Sequence, residues 1–151
     1  MAGTPQRDRD LIDQAIGVHP HVREKMAIRR HDSKARSAQT FYEVLERFDG
    51  FAAVAAHPKT GRTHQIRVHL DHIGCPVLCD KQYGGRSKVT RGEIRRDTSD
   101  NRVLLSRQAL HARRLRFEHP ATRRPMEIEA PLPEDISNVL SELRGYRGLG
   151  Q

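Results

Sequence analysis

The sequence predicts an α+β domain, a mainly antiparallel sheet carrying a few helices. Two observations carry this. Runs rich in aromatic and β-branched residues occur in tandem, and residues 37–48 and 51–57 are joined by Asp49-Gly50, a strong signal for a tight hairpin. Two short segments, 66–73 and 136–143, place apolar residues at helical spacing. With 151 residues, one domain over 1–151 is expected.

Taken in order, residues 1–23 are polar and read as irregular. "KMAIRR" (25–30) and "SAQTFYEVLERF" (37–48) read as strands, and "FAAVAAH" (51–57) returns from the hairpin. Pro58 and Gly61 break that strand. Ile66, Leu70 and Ile73 recur at i, i+4 and i+7, one apolar helical face, and Gly74 is placed to end the helix. Residues 84–106 hold "GGRSKVTRGEIRRDTSDNR", six basic and three acidic side chains, and read as a long exposed loop. "LHARRLRF" (110–117) and "MEIEA" (126–130) read as a second antiparallel pair, with Met126, Ile128 and Ala130 facing away from Glu127 and Glu129. Pro133 opens a last helix with Ile136, Val139, Leu140 and Leu143 on one side, expected to stop near Gly145.

Lys and Arg number 27 against 19 Asp and Glu, for a net charge of +8. Such a surface attracts polyanions, chiefly through phosphate contacts, and the Arg residues cluster on particular segments, so a nucleic acid is the expected partner, ahead of a soluble protein that is merely basic. Aromatic residues make up 5% with no Trp, which argues against a sheet of base-stacking aromatics. No apolar run approaches the roughly 20 residues of a membrane span. "MAGTPQRDRD" lacks a signal peptide's apolar core, and two Cys make no disulfide framework, so a reducing cytoplasm is expected.

The most informative stretch is "HPKTGRTHQIRVHLDHIG", residues 57–74, with four His, two Arg, one Lys and a single carboxylate, Asp71. It admits three readings. On a helix, Arg67 and Asp71 are i,i+4 neighbours and can pair on a solvated face. His69, His72, Cys75 and Cys79 supply zinc-type ligands, but H-x2-H-x2-C-x3-C is not a standard zinc spacing and Pro76 stiffens the segment, so no metal is expected. The third reading is an anion-handling site of an RNA enzyme.

The third reading is carried by several motifs in order. "KTGRTHQIRVHL..IG.P...D..YGG", then "R.ALHA..L.F.HP.T", with "YEVLERF" upstream, closely resembles the RluA-type pseudouridine synthases, over roughly residues 12–135. The resemblance implies isomerisation of a uridine in ribosomal RNA, without metal or organic cofactor: the bond from ribose to base nitrogen breaks, the uracil turns, and it rejoins through carbon. The base must leave its stack. A carboxylate must attack or start the elimination, held ionised by a cation. Carried over by motif, Arg67 is that cation and Leu110 a wall of the base pocket. Lys59, Arg62 and His64 are expected at the RNA backbone, with Arg113, Arg114 and Arg116 adding phosphate contacts.

The family's carboxylate lies in a motif like "HRLDxxTSG" and its pocket Tyr in a "Y.ALV"-like motif, both upstream of "GRTHQIR". Nothing before Lys59 resembles the first, and Tyr42 lies in "YEVLERF", a different strand. Asp97, in "RRDTSDNRVLL", lacks the flanking residues and reads as a solvated loop charge. The chain therefore reads as a C-terminal portion of the synthase domain, with Arg67 turned to Asp71, to solvent or to an RNA phosphate. A rival reading is a non-catalytic RNA-binding protein on part of that fold; another is a truncated product, or one completed by a second chain or by self-association through an open sheet edge. Cys79 stands where the family has Gly, which puts any left-handed backbone there in doubt, and both Cys read as small buried residues.

Overall fold

The Asp49-Gly50 turn forms as expected in the computed structural model, which describes residues 1–147. Gly50 takes a φ of 72°, and Phe48 faces Phe51 across the turn between β4 (Gln39–Phe48) and β5 (Phe51–Pro58). A bulge between Val44 and Glu46 leaves Leu45 unpaired and exposed. β1 (Arg9–Asp13) completes a three-stranded antiparallel sheet in the order β1-β4-β5.

Residues 1–23 are therefore not irregular. β1 lies there, as does β2 (Ile16–Val18), which pairs with β3 (Met26–Ile28) in a separate ribbon. "KMAIRR" thus yields a three-residue strand outside the main sheet. β1 escaped notice because only Ile12 of its five residues is buried. Edge pairing with β4 holds it, and that pairing leaves no periodic apolar pattern in β1 itself.

One face of the sheet, with Ile12, Tyr42, Val44 and Val54, packs on α1 (Gln65–His72) through Leu70, Ile66 and Ile73. The helix ends as its sequence predicts. Gly74 has φ 73°, its N–H donates to the Asp71 carbonyl at 2.9 Å, and the Cys75 N–H donates to the Leu70 carbonyl at 3.0 Å. This is a Schellman closure. Val68 packs with Ile16 and Ala38 in another cluster, and Gln65, Arg67 and His69 are buried too, so polar side chains on this helix need internal partners.

Residues 84–106 are not a structureless loop. They fold as β6 (Val89–Thr90), α2 (Arg91–Arg95) and β7 (Val103–Leu105). Thr90 and Glu93 form a reciprocal capping box: the Glu93 N–H donates to Thr90 Oγ1 and the Thr90 N–H donates to Glu93 Oε2. Val89, Ile94 and Leu105 join Phe48, Leu78, Val139 and Leu143 in the largest core. A Cβ at Gly92 would lie 2.1 Å from the Asp97 carbonyl oxygen, so the turn closes only over glycine.

α3 (Glu134–Arg147) starts directly after Pro133 and contributes Val139 and Leu143 to that core; it continues through Gly145 instead of stopping there. Its Glu142 holds the 84–106 segment, accepting ion pairs from Arg91, Arg95 and Arg102. β8 (Arg114–Glu118) and β9 (Pro125–Glu129) pair as expected, but all ten residues are exposed. No described helix is long and apolar enough to cross a membrane.

Candidate functional site

Arg67 sits in the middle of α1 and is 8% exposed. A buried guanidinium needs a counter-charge, and Asp80 supplies it. Arg67 Nε donates to Asp80 Oδ2 at 2.6 Å and NH2 donates to Oδ1 at 2.8 Å, a two-pronged pair. The expected turn toward Asp71 does not occur, because Asp71 lies on the exposed side of α1. NH2 also donates to Gln82 Oε1 at 2.9 Å, and the guanidinium carbon lies 4.6 Å from the Tyr83 ring centroid. NH1 has no hydrogen bond to a described residue.

Asp80 is fully buried, and its Oδ1 also accepts from the Gln82 and Tyr83 backbone N–H groups. Burial pushes its carboxyl up, but the Arg67 hydrogen bonds and charge outweigh that and hold it below the usual range. The Arg67 guanidinium is correspondingly pushed up, chiefly by its bonds to Asp80. Sequence reasoning missed Asp80, although it is the Asp of "D..YGG", and the segment that starts with Cys79 brings it under α1.

Cys79 itself has φ 60° and is buried. The left-handed backbone is kept here with a cysteine side chain in place of glycine. Both thiols are pushed up, first by burial, which suits inert core residues. The zinc reading finds no ligand set: His69 places Nδ1 2.9 Å from Thr40 Oγ1 and Nε2 3.0 Å from the Gln14 carbonyl, so both ring nitrogens are engaged. Among the described residues no cluster of His, Cys, Asp and Glu is arranged to share an ion.

An open cleft of about 620 Å³ lies beside Arg67. Its walls bring Arg67 together with Leu110, the two residues expected at the base pocket, although they are 43 positions apart (110 − 67). Lys81, Gln82, Ser106, Arg107 and Gln108 line it too, and among the described residues no carboxylate does. Three cations, of which Arg107 is paired with Asp135, and several neutral polar groups make it a place for an anion or a polar ring.

The other expected residues lie elsewhere. Lys59 is exposed just past β5. Arg62 Nε donates to the Ser37 carbonyl at 3.1 Å. His64 packs edge-on to Tyr83, with Nδ1 2.9 Å from its hydroxyl; burial first, then Arg67, lower its pKa. Gln65 ties this loop to the sheet, accepting from Thr60 and the Arg62 N–H and donating to the Gln39 carbonyl and Thr40. Arg113 is exposed at the base of the β8–β9 arm, while Arg114 and Arg116 pair with Glu129 and Glu127. Asp97 is exposed, accepts from the Ser99 N–H and hydroxyl, and lies outside the cleft lining.

The whole is an antiparallel α+β scaffold with a buried Arg–Asp pair at the edge of a cationic cleft. In overall structure the chain is similar to human RNA Pseudouridylate Synthase Domain Containing 4 (TM-score 0.71, 27% identity, 95% of this chain and 59% of that one). Human RNA Pseudouridylate Synthase Domain Containing 1 is also similar (TM-score 0.63, 27% identity, 95% and 62%). The model of the RNA pseudouridylate synthase family matches residues 4–72. Ribosomal large subunit pseudouridine synthase D of Pseudomonas aeruginosa is 44% identical over 136 residues, covering 90% of this chain and 41% of that protein. The protein of the same name from Xanthomonas campestris is 42% identical over 132 residues, with 87% and 39% covered. The chain belongs to the RluA-type family of RNA pseudouridine synthases. It spans about two fifths of the length of these two bacterial relatives.

Proposed function

We propose that this chain supplies the cation and base pocket of a pseudouridine synthase that acts on uridine in ribosomal RNA, working in the cytoplasm. The observation that carries the reading is the meeting of Arg67 and Leu110 in one cleft, with Arg67 anchored from behind by Asp80. Anchoring fixes the guanidinium and leaves NH1 as its open donor, so no side-chain ordering is needed when a ligand arrives. Lys81 adds an exposed positive charge to the cleft.

The isomerisation also needs a carboxylate to attack the ribose or start the elimination. Asp80 cannot serve, since both its oxygens are engaged and it is fully buried. The attacking acid is to come from polypeptide outside these 151 residues that docks over the cleft, and Arg67 NH1 is the group that would receive it.

Footprinting on large-subunit ribosomal RNA tests this reading. The chain should protect a discrete uridine-containing site, and Lys81→Ala and Leu110→Ala should each weaken that protection several-fold. Uniform weak protection, unchanged in both variants, would show that the cleft does not hold RNA.

A further inference from the structure

Two carboxamides border the cleft, and they differ. Gln82 is fully used: its Oε1 accepts from Arg67 and its Nε2 donates to the Glu24 carbonyl. The Gln108 carboxamide makes no hydrogen bond to any described residue. Its backbone, in contrast, is clamped. Arg107 lies two-pronged on Asp135, with Nε to Oδ2 at 2.7 Å and NH2 to Oδ1 at 2.6 Å, while its NH1 donates to the Gln108 carbonyl at 3.2 Å. On the other side the Ala109 N–H donates to the Leu78 carbonyl at 2.8 Å, and Ala109 packs against two of the hydrophobic cores. A rigid rim therefore presents an uncommitted amide beside Leu110 and across from Arg67 and Lys81.

We propose that Gln108 reads the pairing edge of the uracil ring in the cleft, and that Arg107 and Asp135 are positioning residues that hold it there. The proposal rests on the uridine-binding reading above and names the contact that reading lacks. A carboxamide offers a C=O acceptor and an N–H donor side by side. Uracil offers the complement, an N3–H donor beside a carbonyl acceptor. Leu110 supplies the apolar wall, and the Lys81 ammonium is available to the ring's second carbonyl. An unsatisfied amide on an ordered rim is costly only once water leaves, so its pairing counts most when a base fills the cleft.

The test is a double-mutant cycle on RNA affinity, using short oligouridylate and its N3-methylated counterpart, with the chain as it stands and with Gln108→Ala. Gln108 is half-exposed and bonded only through its backbone, so the variant keeps the fold, which circular dichroism checks. The chain should lose about 5- to 10-fold in affinity on N3 methylation, as expected for one or two hydrogen bonds. Gln108→Ala should lose as much on unmodified RNA, and methylation should then cost almost nothing more. Asp135→Asn should reduce the methylation effect without changing the salt dependence of binding. Equal methylation costs with and without Gln108, or none in the unaltered chain, overturn the inference and leave the uridine-binding reading intact. No measurable binding of oligouridylate by the unaltered chain overturns that reading instead.

Discussion

Arg67 and Asp80 form a closed, buried pair, with both carboxylate oxygens on the guanidinium at 2.6 and 2.8 Å. They are thirteen positions apart (80 − 67), and the loop between, from Ile73 to Cys79, brings the carboxylate back beneath the helix that carries the cation. The pair does two things. It neutralises a charge that the core could not otherwise hold, and it aims the one remaining nitrogen of Arg67.

Removing the acid alone should therefore be severe. Asp80→Ala leaves Arg67 buried without a counter-charge, and breaking such pairs typically costs about 3–5 kcal/mol. Urea denaturation should show that loss. Arg67→Met combined with Asp80→Leu should recover most of it, since two apolar groups need no partner. A loss under 1 kcal/mol for Asp80→Ala would mean that water reaches the pair.

Stability should also fall on mild acidification. Burial lowers the pKa of His69 from its ordinary 6.5, partly offset by its bond to the Gln14 carbonyl. The folded state holds the neutral ring and the unfolded state binds the proton more readily. Stability declines as pH falls from about 8, first through the Met1 amino group, whose pKa burial lowers from 8.0 to about 6, and more steeply below about 6.5 as His69 contributes. His64, lowered for the same first reason, shares in the decline. Urea midpoints measured from pH 7.5 to 5 check this, and a midpoint that rises on acidification has the wrong sign.

RNA affinity should depend steeply on salt, as a net charge of +8 and several phosphate contacts require. The arginines should not contribute alike. Arg114 and Arg116 are already paired with Glu129 and Glu127, whereas Lys59 and Arg113 are exposed and make no ion pair among the described residues. Lys59→Ala and Arg113→Ala should each lower the slope of log affinity against log salt by about 0.7–0.9, the value of one phosphate contact. Arg114→Ala should lower it by less. A slope near zero for the unaltered chain would remove phosphate contacts from the account.

The 151-residue chain by itself should form no pseudouridine in ribosomal RNA. Arg67 can hold a carboxylate but cannot replace one, and losing the attacking or proton-taking group costs orders of magnitude in rate. Mass spectrometry of digested RNA is the readout. If product forms and Asp97→Ala abolishes it, the loop acid is the catalyst. If product forms and Asp97→Ala changes nothing, the acid comes from elsewhere, and mixing with candidate partner chains should locate it.

Much of this was legible along the chain because it is local. The β4–β5 hairpin follows from Asp49-Gly50 between two alternating runs, and the close of α1 follows from Gly74 after an i, i+4, i+7 stripe. The family motifs named Arg67 and Leu110, and the cleft holds both. Where local signals were faint, the reading failed. Val89, Ile94 and Leu105 are isolated apolar residues in a charged segment; they became core only by meeting Phe48 and α3, and β1 is a strand only because β4 lends it an edge. By itself the sequence determined the hairpin, α1 and the start of α3, the basic surface and the family. Only the tertiary structure decided that Asp80, not Asp71, holds Arg67, and that Gln108 alone among the cleft amides is open. Such pairings join residues distant along the chain, and desolvation, which penalises every unpaired charge, selects them only once the chain has packed.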